Sequence, residues 1–299
     1  MDYKIIKKYA PKKNIKKNLF FFHVPKCAGL TISHSLSTTL KNIRIFGWSQ
    51  KYHKVIVNNK NYINDFKTKK ENLFNTLPIT STNYTAENFY LLTSDIAEKY
   101  PFIHGHLPFK NYNNFQSRFT FTVLRDPVKR AISNYQFWIQ KGFIKKEASI
   151  EELYSKKILH PNLITSFFSD KNTPNISEAI KNLKKIDIVT NTGNIEQLLR
   201  YLISIYDLPN MILLNSNVTQ NKIEVSEDKV EIFESFNSMD QELIAESQDI
   251  LFDFSKTIKK DLDEKFYSIF TGNKIFNNSS SLIFNEKDLN FVTNTLDKI

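Results

Sequence analysis

Three short segments of the sequence combine residue types that can bind a phosphate or move a proton. They are HVPKCAGLT at residues 23–31, HGH at 104–106 and RDPVKRAIS at 125–133. Lysine and arginine supply positive charge, glycine lets backbone N–H groups approach an anion, and histidine titrates near neutral pH. The residue types therefore predict phosphate binding beside a group that can accept a proton.

The first segment has the composition of a loop that cradles a phosphate. It lies between a predicted strand and a predicted helix, so backbone N–H groups beside Gly29 would face the positive end of the helix dipole. Lys26 adds a full charge and Thr31 adds a hydroxyl. The order differs from a Walker loop, in which the lysine follows the second glycine. A plain strand-to-helix turn with an exposed lysine is the alternative interpretation.

The third segment contains Arg125 and Arg130, two of the five arginines in the chain. Asp126 can cap the helix that follows, and Pro127 suits the first turn of that helix. Arg125 and Ser133 could hold a second phosphate together, because arginine offers a forked set of charge-assisted donors. The alternative is a surface helix whose charged side chains face solvent.

The HGH segment places two imidazoles on either side of Gly105. Two ligands are too few for a closed zinc site and the sequence has no HExxH pattern, so we predict no metal site. At a strand end beside a phosphate loop, a histidine is better suited to act as a general base. A structural role for both histidines is the alternative.

The elements that must position these segments follow from hydrophobic periodicity. Strands are predicted at 19–24, 43–48, 102–104, 119–124, 186–190 and 211–214. Helices are predicted from residue 30, over 128–141, near 194–205 and over much of 227–270. Strands that alternate with helices predict an α/β fold with a central, mainly parallel sheet flanked by helices. Because ligands of such sheets bind beyond the carboxyl ends of the strands, the three segments are expected to form one site.

The overall composition is that of a globular protein with an anionic partner. Of the 299 residues, 41% are hydrophobic and 24% are charged, and the formal net charge is +10. The single cysteine excludes an internal disulfide. No apolar run reaches the roughly 20 residues that cross a bilayer, so we predict a cytoplasmic protein without a membrane span.

The three segments resemble the motifs of sulfotransferases that use 3′-phosphoadenosine-5′-phosphosulfate (PAPS). FHVPKCAGLTI is similar to their 5′-phosphosulfate loop, H-[IV]-P-K-T-[GA]-G-T-S, and TVLRDPVKRAISNY is similar to their 3′-phosphate motif, R-D-P-[VI]-x-R-x-x-S-x-[YF]. FIHGHLPF is similar to the HGH segment of uronyl and heparan sulfate 2-O-sulfotransferases. The resemblance covers about residues 19–36 and 102–138. It departs from the family at Cys27 and Leu30, where the family has hydroxyl residues.

The resemblance implies a role for individual residues. Lys26 would contact the 5′-phosphate and the bridging oxygen, while Arg125 and Ser133 would bind the 3′-phosphate. His106 would deprotonate the acceptor hydroxyl, and His104 would assist in substrate contact. The other nucleotide-binding residues would be Pro25, Cys27, Ala28, Gly29, Leu30 and Thr31 in the loop, and Thr219 and Lys222 in the segment NSNVTQNK.

The resemblance further implies a P-loop-NTPase-like three-layer fold and a PAPS-dependent O-sulfotransferase. The acceptor would be a carbohydrate, with an acidic glycan such as a uronic-acid polymer favoured by the basic charge, and no nucleic acid is expected as a partner. We predict a basic N-terminal arm at 1–18, one domain at 19–275 with an acceptor-binding insertion at about 43–100, and a tail at 276–299.

Other classes of function are compatible with parts of the sequence. A nucleotide-dependent kinase of the P-loop type would explain the phosphate loop and would require ATP and Mg²⁺. A non-catalytic protein that binds polyanions or nucleic acid would explain the charge, and its binding would depend steeply on salt. A sulfotransferase fold that has lost its activity is a further alternative.

Overall fold

A computed structural model provides the structure of this chain. It describes residues 2–6, 18–37, 40, 42–49, 52–58, 74–75, 101–169, 173–208, 211–214, 224–256 and 267–268. The predicted tail at 276–299, and most of the predicted arm and insertion, lie outside the described residues.

The strands form two sheets. In chain order the strands are β1 (Asp2–Ile6), β2 (Leu19–Phe22), β3 (Asn42–Ser49), β4 (Tyr52–Asn58), β5 (Phe74–Asn75), β6 (Phe102–Gly105), β7 (Phe119–Leu124), β8 (Ile188–Asn191), β9 (Met211–Leu214) and β10 (Tyr267–Ser268). The larger sheet has the order β5-β4-β3-β6-β2-β7-β8 and the smaller one β10-β1-β9.

The larger sheet is mainly parallel. Strands β3, β6, β2, β7 and β8 run parallel to one another, whereas β4 pairs antiparallel with both β3 and β5 at one edge. The prediction of an α/β fold with a mainly parallel sheet is therefore confirmed. Part of the predicted insertion extends this sheet, because β3, β4 and β5 all fall between residues 42 and 75.

The helices connect and cover these strands. In chain order they are α1 (Gly29–Ser37), α2 (Pro127–Gln140), α3 (Ile150–Ser155), α4 (Leu163–Phe168), α5 (Ile176–Leu183), α6 (Ile195–Ile205), α7 (Glu227–Phe236) and α8 (Ser238–Glu246). Short 3₁₀ helices occur at Phe109–Asn114, Thr192–Asn194, Gln248–Ile250 and Phe254–Lys256.

The sheet is buried on both faces, which explains the unbroken aromatic run in β2. On one face, Phe20 and Phe22 pack in a core that includes side chains of α4, α5 and α8. On the other face, Leu19 and Phe21 pack against α1 and α6. Successive strand residues point to opposite faces, so a strand that is covered on both faces is expected to be predominantly apolar. Helices thus cover the sheet from both sides.

Strand β9 does not join the central sheet. The sequence predicted a strand at 211–214, and the structure has one there, but it pairs antiparallel with β1. A short apolar run indicates burial and does not specify a pairing partner, since partner choice depends on long-range packing.

A buried polar cluster holds α2 against the helices that follow it. Arg130 on α2 is 1% exposed, and its Nη2 donates to Oδ1 of Asn237 at 3.2 Å. The amide of Asn237 in turn donates to the hydroxyl of Tyr154 at 2.9 Å. A buried arginine is stable only when hydrogen bonds and opposite charge compensate its lost hydration. This cluster therefore fixes α2 and, with it, the residues at the start of α2.

Asp240 supplies the negative charge of this cluster. It accepts hydrogen bonds from the backbone N–H groups of Ile164 and Thr165 and from the Thr165 hydroxyl, at 2.7–3.0 Å. Burial raises the pKa of its carboxyl, while the nearby charge of Arg130 acts in the opposite direction. Asp240 thus joins α4 to α8 beside the buried arginine.

Replacing Asp240 by alanine is expected to lower the free energy of unfolding by about 3–5 kcal/mol, because three donors and a buried cation lose their acceptor and counter-charge. Urea unfolding followed by circular dichroism measures this change. The exposed Asp249 offers a matched control, for which Asp249→Ala should change stability by less than about 0.5 kcal/mol. A loss below about 1 kcal/mol for Asp240→Ala would contradict the structural role of this cluster.

Within the described ranges, every helix is too short or too polar to cross a lipid bilayer. The cytoplasmic location stays a prediction.

Candidate functional site

The three segments that were singled out from the sequence meet at one edge of the central sheet. Strands β6, β2 and β7 are neighbours and parallel, so their carboxyl ends lie side by side. The backbone N–H of His23 donates to the carbonyl of Gly105 at 3.0 Å, joining the first loop to the HGH segment. The guanidinium of Arg125 donates to the carbonyl of Lys26 at 3.0 Å, joining the first loop to the start of α2. The three segments are therefore neighbours in the structure, and their function as one binding site stays a prediction.

The loop between β2 and α1 has an unusual backbone. Lys26 and Ala28 both have left-handed φ values, of 68° and 57°. Residues other than glycine adopt this region at a cost, and such strain is concentrated at binding and catalytic sites. Left-handed residues within a turn also let successive N–H groups face one concavity, which is how backbone loops bind anions. The loop ends where α1 begins at Gly29.

Lys26 is half-buried within this loop. Its Nζ lies 4.4 Å from the centroid of the Phe137 ring on α2. Burial, with a smaller contribution from the positive charge of Arg125, lowers the pKa of Lys26 to about 8. Lys26 and Arg125 thus bring two cationic side chains to the same loop, an arrangement that favours an anion.

The start of α2 presents the other predicted phosphate ligands. Asp126 caps the helix, since its carboxylate accepts from the N–H of Lys129 at 2.8 Å, and Pro127 occupies the first turn. The cap therefore fixes the backbone where α2 begins, directly after Arg125. Ser133 lies further along α2 and is half-buried. A small cavity next to Arg125 is lined by Leu124, Asp126, Asn191 and Ser247, among others.

The two histidines of the HGH segment occupy different environments. His104 lies within β6, is 1% exposed, and stacks on Phe102 with a centroid separation of 4.9 Å. His106 lies after the strand and is half-buried. The ring of His106 meets that of His23 edge to face, at a centroid distance of 4.4 Å. His106 thus contacts the His23 ring of the phosphate loop and is the less buried residue of the pair.

His23 is a member of the site to which the sequence analysis assigned no role. It is 4% exposed and stacks on Phe21 at a centroid distance of 5.2 Å. Its ring also fills the space in front of Gly29, where an added Cβ would lie only 1.7 Å from Nε2. The sequence did point to His23, because it is the first residue of the motif that resembles the phosphosulfate loop.

Phe137 is a second residue that the sequence analysis missed. It lies one helical turn after Ser133, and residues four positions apart share a helix face. That spacing could have placed Phe137 near the phosphate loop once α2 was recognised.

The remaining predicted loop residues form the wall of the turn. Pro25 and Cys27 are buried, whereas Ala28, Leu30 and Thr31 are half-buried. Burial raises the pKa of the Cys27 thiol to about 12, so this side chain is a packing group and not a nucleophile. Thr219 and Lys222, which were predicted to bind the nucleotide, lie outside the described residues.

The arrangement can bind an anion and accept a proton at one edge of the sheet. In the described part of the chain, no three side chains of His, Cys, Asp or Glu come together in a way that could hold a metal ion. A scan against protein-family models found no match to this chain, and a search of curated proteins found none either. The function must therefore be argued from the site.

Proposed function

We propose that this protein is a PAPS-dependent sulfotransferase that transfers a sulfuryl group to a hydroxyl of a carbohydrate. The observation that carries the proposal is the hydrogen bond from the Arg125 guanidinium to the carbonyl of Lys26. This hydrogen bond joins a strand-to-helix phosphate loop to a second cationic segment. A nucleotide with phosphates at both its 5′ and 3′ positions requires two such segments side by side. His106 at the same edge adds a proton acceptor.

The fold supports this proposal. A loop with left-handed residues connects β2, in the middle of a parallel sheet, to the N-terminus of α1. The positive end of a helix dipole and the backbone N–H groups of its first turn together favour phosphate. We therefore propose a P-loop-NTPase-like arrangement, with the lysine before the glycine instead of after it.

The residues of the site fit the proposed nucleotide in charge. Lys26 and the backbone of the loop would face the 5′-phosphate, and Arg125 with Ser133 would face the 3′-phosphate. Cys27 and Leu30 supply no hydroxyl, so the backbone N–H groups and Thr31 would provide the donors that a family loop draws from side chains. PAPS supplies the sulfuryl group when it is bound.

The proposed mechanism divides the chemical work between two side chains. His106 would take the proton of the acceptor hydroxyl as the acceptor oxygen forms its bond to sulfur. Lys26 would stabilise the negative charge that grows on the bridging oxygen as the bond between that oxygen and sulfur breaks. Both interactions strengthen in the transition state, so each would accelerate the reaction.

The acceptor class follows from charge. A formal net charge of +10 favours an acidic substrate, and a uronic-acid-containing glycan meets that condition. The acceptor-binding role of residues 43–100 stays a prediction.

Titration calorimetry with 3′-phosphoadenosine-5′-phosphate, the product nucleotide, tests the proposal. We expect binding without Mg²⁺ that is tighter than that of AMP or ATP. Arg125→Ala should weaken it roughly 10- to 100-fold, because a hydrogen bond to a charged group contributes about 1.5–3 kcal/mol. Arg125→Lys should fall in between, since lysine keeps the charge and loses the forked geometry.

The exposed Lys129, one turn away on the same helix, provides the matched control, and Lys129→Ala should bind like the wild type. Equal affinity for AMP and the 3′-phosphorylated nucleotide would reject the sulfotransferase. ATP binding that requires Mg²⁺ would favour a kinase instead.

A further inference from the structure

Among the residues that the structure describes, the Lys26 ammonium contacts an aromatic ring and no carboxylate. Its Nζ lies 4.4 Å from the ring centroid of Phe137, within the range of a cation–π interaction. The Nζ of Lys141 lies 5.8 Å from the same centroid. The ring of Phe137 thus faces two cations, one from the phosphate loop and one from the end of α2.

The position of Phe137 on α2 connects it to the predicted 3′-phosphate ligand. Ser133, Phe137 and Lys141 follow one another at intervals of four residues, so they form one stripe along the helix. The ring is also held from the side, because it meets Trp138 edge to face at a centroid distance of 5.8 Å. The buried Arg130 cluster fixes the helix that carries this stripe.

Lys26 needs such a partner when no anion is bound. Among the charged and titratable groups around its ammonium, Arg125 at the end of β7 repels it, and Cys27 in the same loop is kept a neutral thiol by burial. Lys141, whose Nζ lies 5.8 Å from the centroid of the same ring, adds a further positive charge near it. The negative face of an aromatic ring stabilises the charged form of lysine. An incoming phosphate can displace the ring from the ammonium more easily than it could displace a carboxylate.

We propose that Phe137 is a positioning residue of the phosphate site, whose ring face holds the Lys26 ammonium charged and oriented until a phosphate takes its place. The replacement of the ring by a phosphate rests on the proposed function, since it requires Lys26 to bind phosphate. The contact between Lys26 and Phe137 does not depend on the proposed function.

The ligand-free contact is tested by competitive labelling. Lys26 is acetylated with trace acetic anhydride between pH 6 and pH 11, and peptide mass spectrometry gives its pKa in the wild type and in variants. Phe137→Leu keeps an apolar side chain but removes the ring face, so the pKa of Lys26 should fall by roughly 0.5–1 unit. Phe137→Tyr keeps a ring face and should leave that pKa close to the wild-type value.

Phe137→Met serves as a second variant without a ring if Phe137→Leu does not fold, and Lys141→Gln controls for the charge across the ring. Lys141→Gln should not lower the pKa of Lys26, because it removes a like charge. An unchanged pKa in both ring-less variants would overturn the proposal.

The exchange is tested by titrating 3′-phosphoadenosine-5′-phosphate into the same variants at pH 6.5 and pH 8.5. At pH 8.5 a lower lysine pKa leaves fewer molecules charged, so Phe137→Leu should bind several-fold more weakly than the wild type. At pH 6.5 Lys26 is charged in both proteins, and the variant should bind equally well or more tightly because a competing ring is gone. A merely structural role of Phe137 would weaken binding equally at both values, which would overturn the exchange.

The two proposals fail in different ways. If labelling shows the shift but the wild type does not bind the nucleotide, the proposed function fails and the contact stands. If the wild type binds the nucleotide and labelling shows no shift, Phe137 has no role in positioning Lys26.

Discussion

Alanine in place of Gly29 is expected to weaken binding of 3′-phosphoadenosine-5′-phosphate by roughly 100-fold or more and to destabilise the loop. The added Cβ would lie 1.7 Å from Nε2 and 2.1 Å from two ring carbons of His23. The His23 ring cannot move aside cheaply, because it is 4% exposed and packed against Phe21 and His106. The backbone at the start of α1 would have to shift, and the anion-binding N–H groups would shift with it.

A double mutant separates this steric cause from a general loss of stability. His23→Ala removes the ring that the new Cβ would meet, so the pair His23→Ala and Gly29→Ala should bind the nucleotide better than Gly29→Ala alone. Gly193→Ala is the matched control, because the Cβ that it adds would approach only one atom within 4 Å, the side-chain oxygen of Asn191 at 3.1 Å. Calorimetry measures binding, and thermal unfolding measures stability. Wild-type affinity in Gly29→Ala would show that His23 does not fill this space.

Replacing His106 by alanine is expected to lower the rate of sulfuryl transfer by about 10²–10⁴-fold while nucleotide binding is retained. His106 follows the carboxyl end of β6, is half-buried, and contacts the His23 ring of the phosphate loop. An acceptor hydroxyl there would lose its proton acceptor, whereas Lys26 and Arg125 would still hold the nucleotide. The effect should therefore appear in the chemical step and not in affinity.

Transfer of radiolabelled sulfuryl groups from PAPS to a panel of desulfated uronic-acid glycans measures this rate. Calorimetry with the product nucleotide on the same protein preparation serves as the control, and its result should match the wild type. His106→Gln should be as inactive as His106→Ala, because an amide cannot act as a base at neutral pH. A rate within threefold of the wild type would exclude His106 as the base, and His23 would then be the next candidate for that role.

Local patterns predicted the central architecture correctly. The strands β2, β6 and β7 are buried at every position because helices cover both faces of the sheet, and their short, largely apolar runs identify buried strands without knowledge of their neighbours. Asp126 and Pro127 predicted the start of α2 for an equally local reason, since a cap and a first-turn proline act within four residues.

The chain's own pattern also indicated where to look for a site. Polar and charged residues at the tips of buried strands are conspicuous against the apolar runs that precede them. Parallel strands bring their carboxyl ends to one edge of the sheet. The sequence alone therefore predicted that residues 23–31, 104–106 and 125–133 lie at the same edge.

Contacts between residues far apart in the chain could not be read in this way. The burial of Arg130 depends on Asn237, which lies 107 positions later, and the strand pairing of Met211–Leu214 depends on residues 3–6. The environment of Lys26 depends likewise on Phe137, and that of Gly29 on the direction of the His23 ring. Periodicity and spacing describe how each segment folds, whereas the packing of one segment against another determines which side chain meets which. The residue types of this site are therefore legible in the chain, but its electrostatics and its steric limits arise from tertiary contacts.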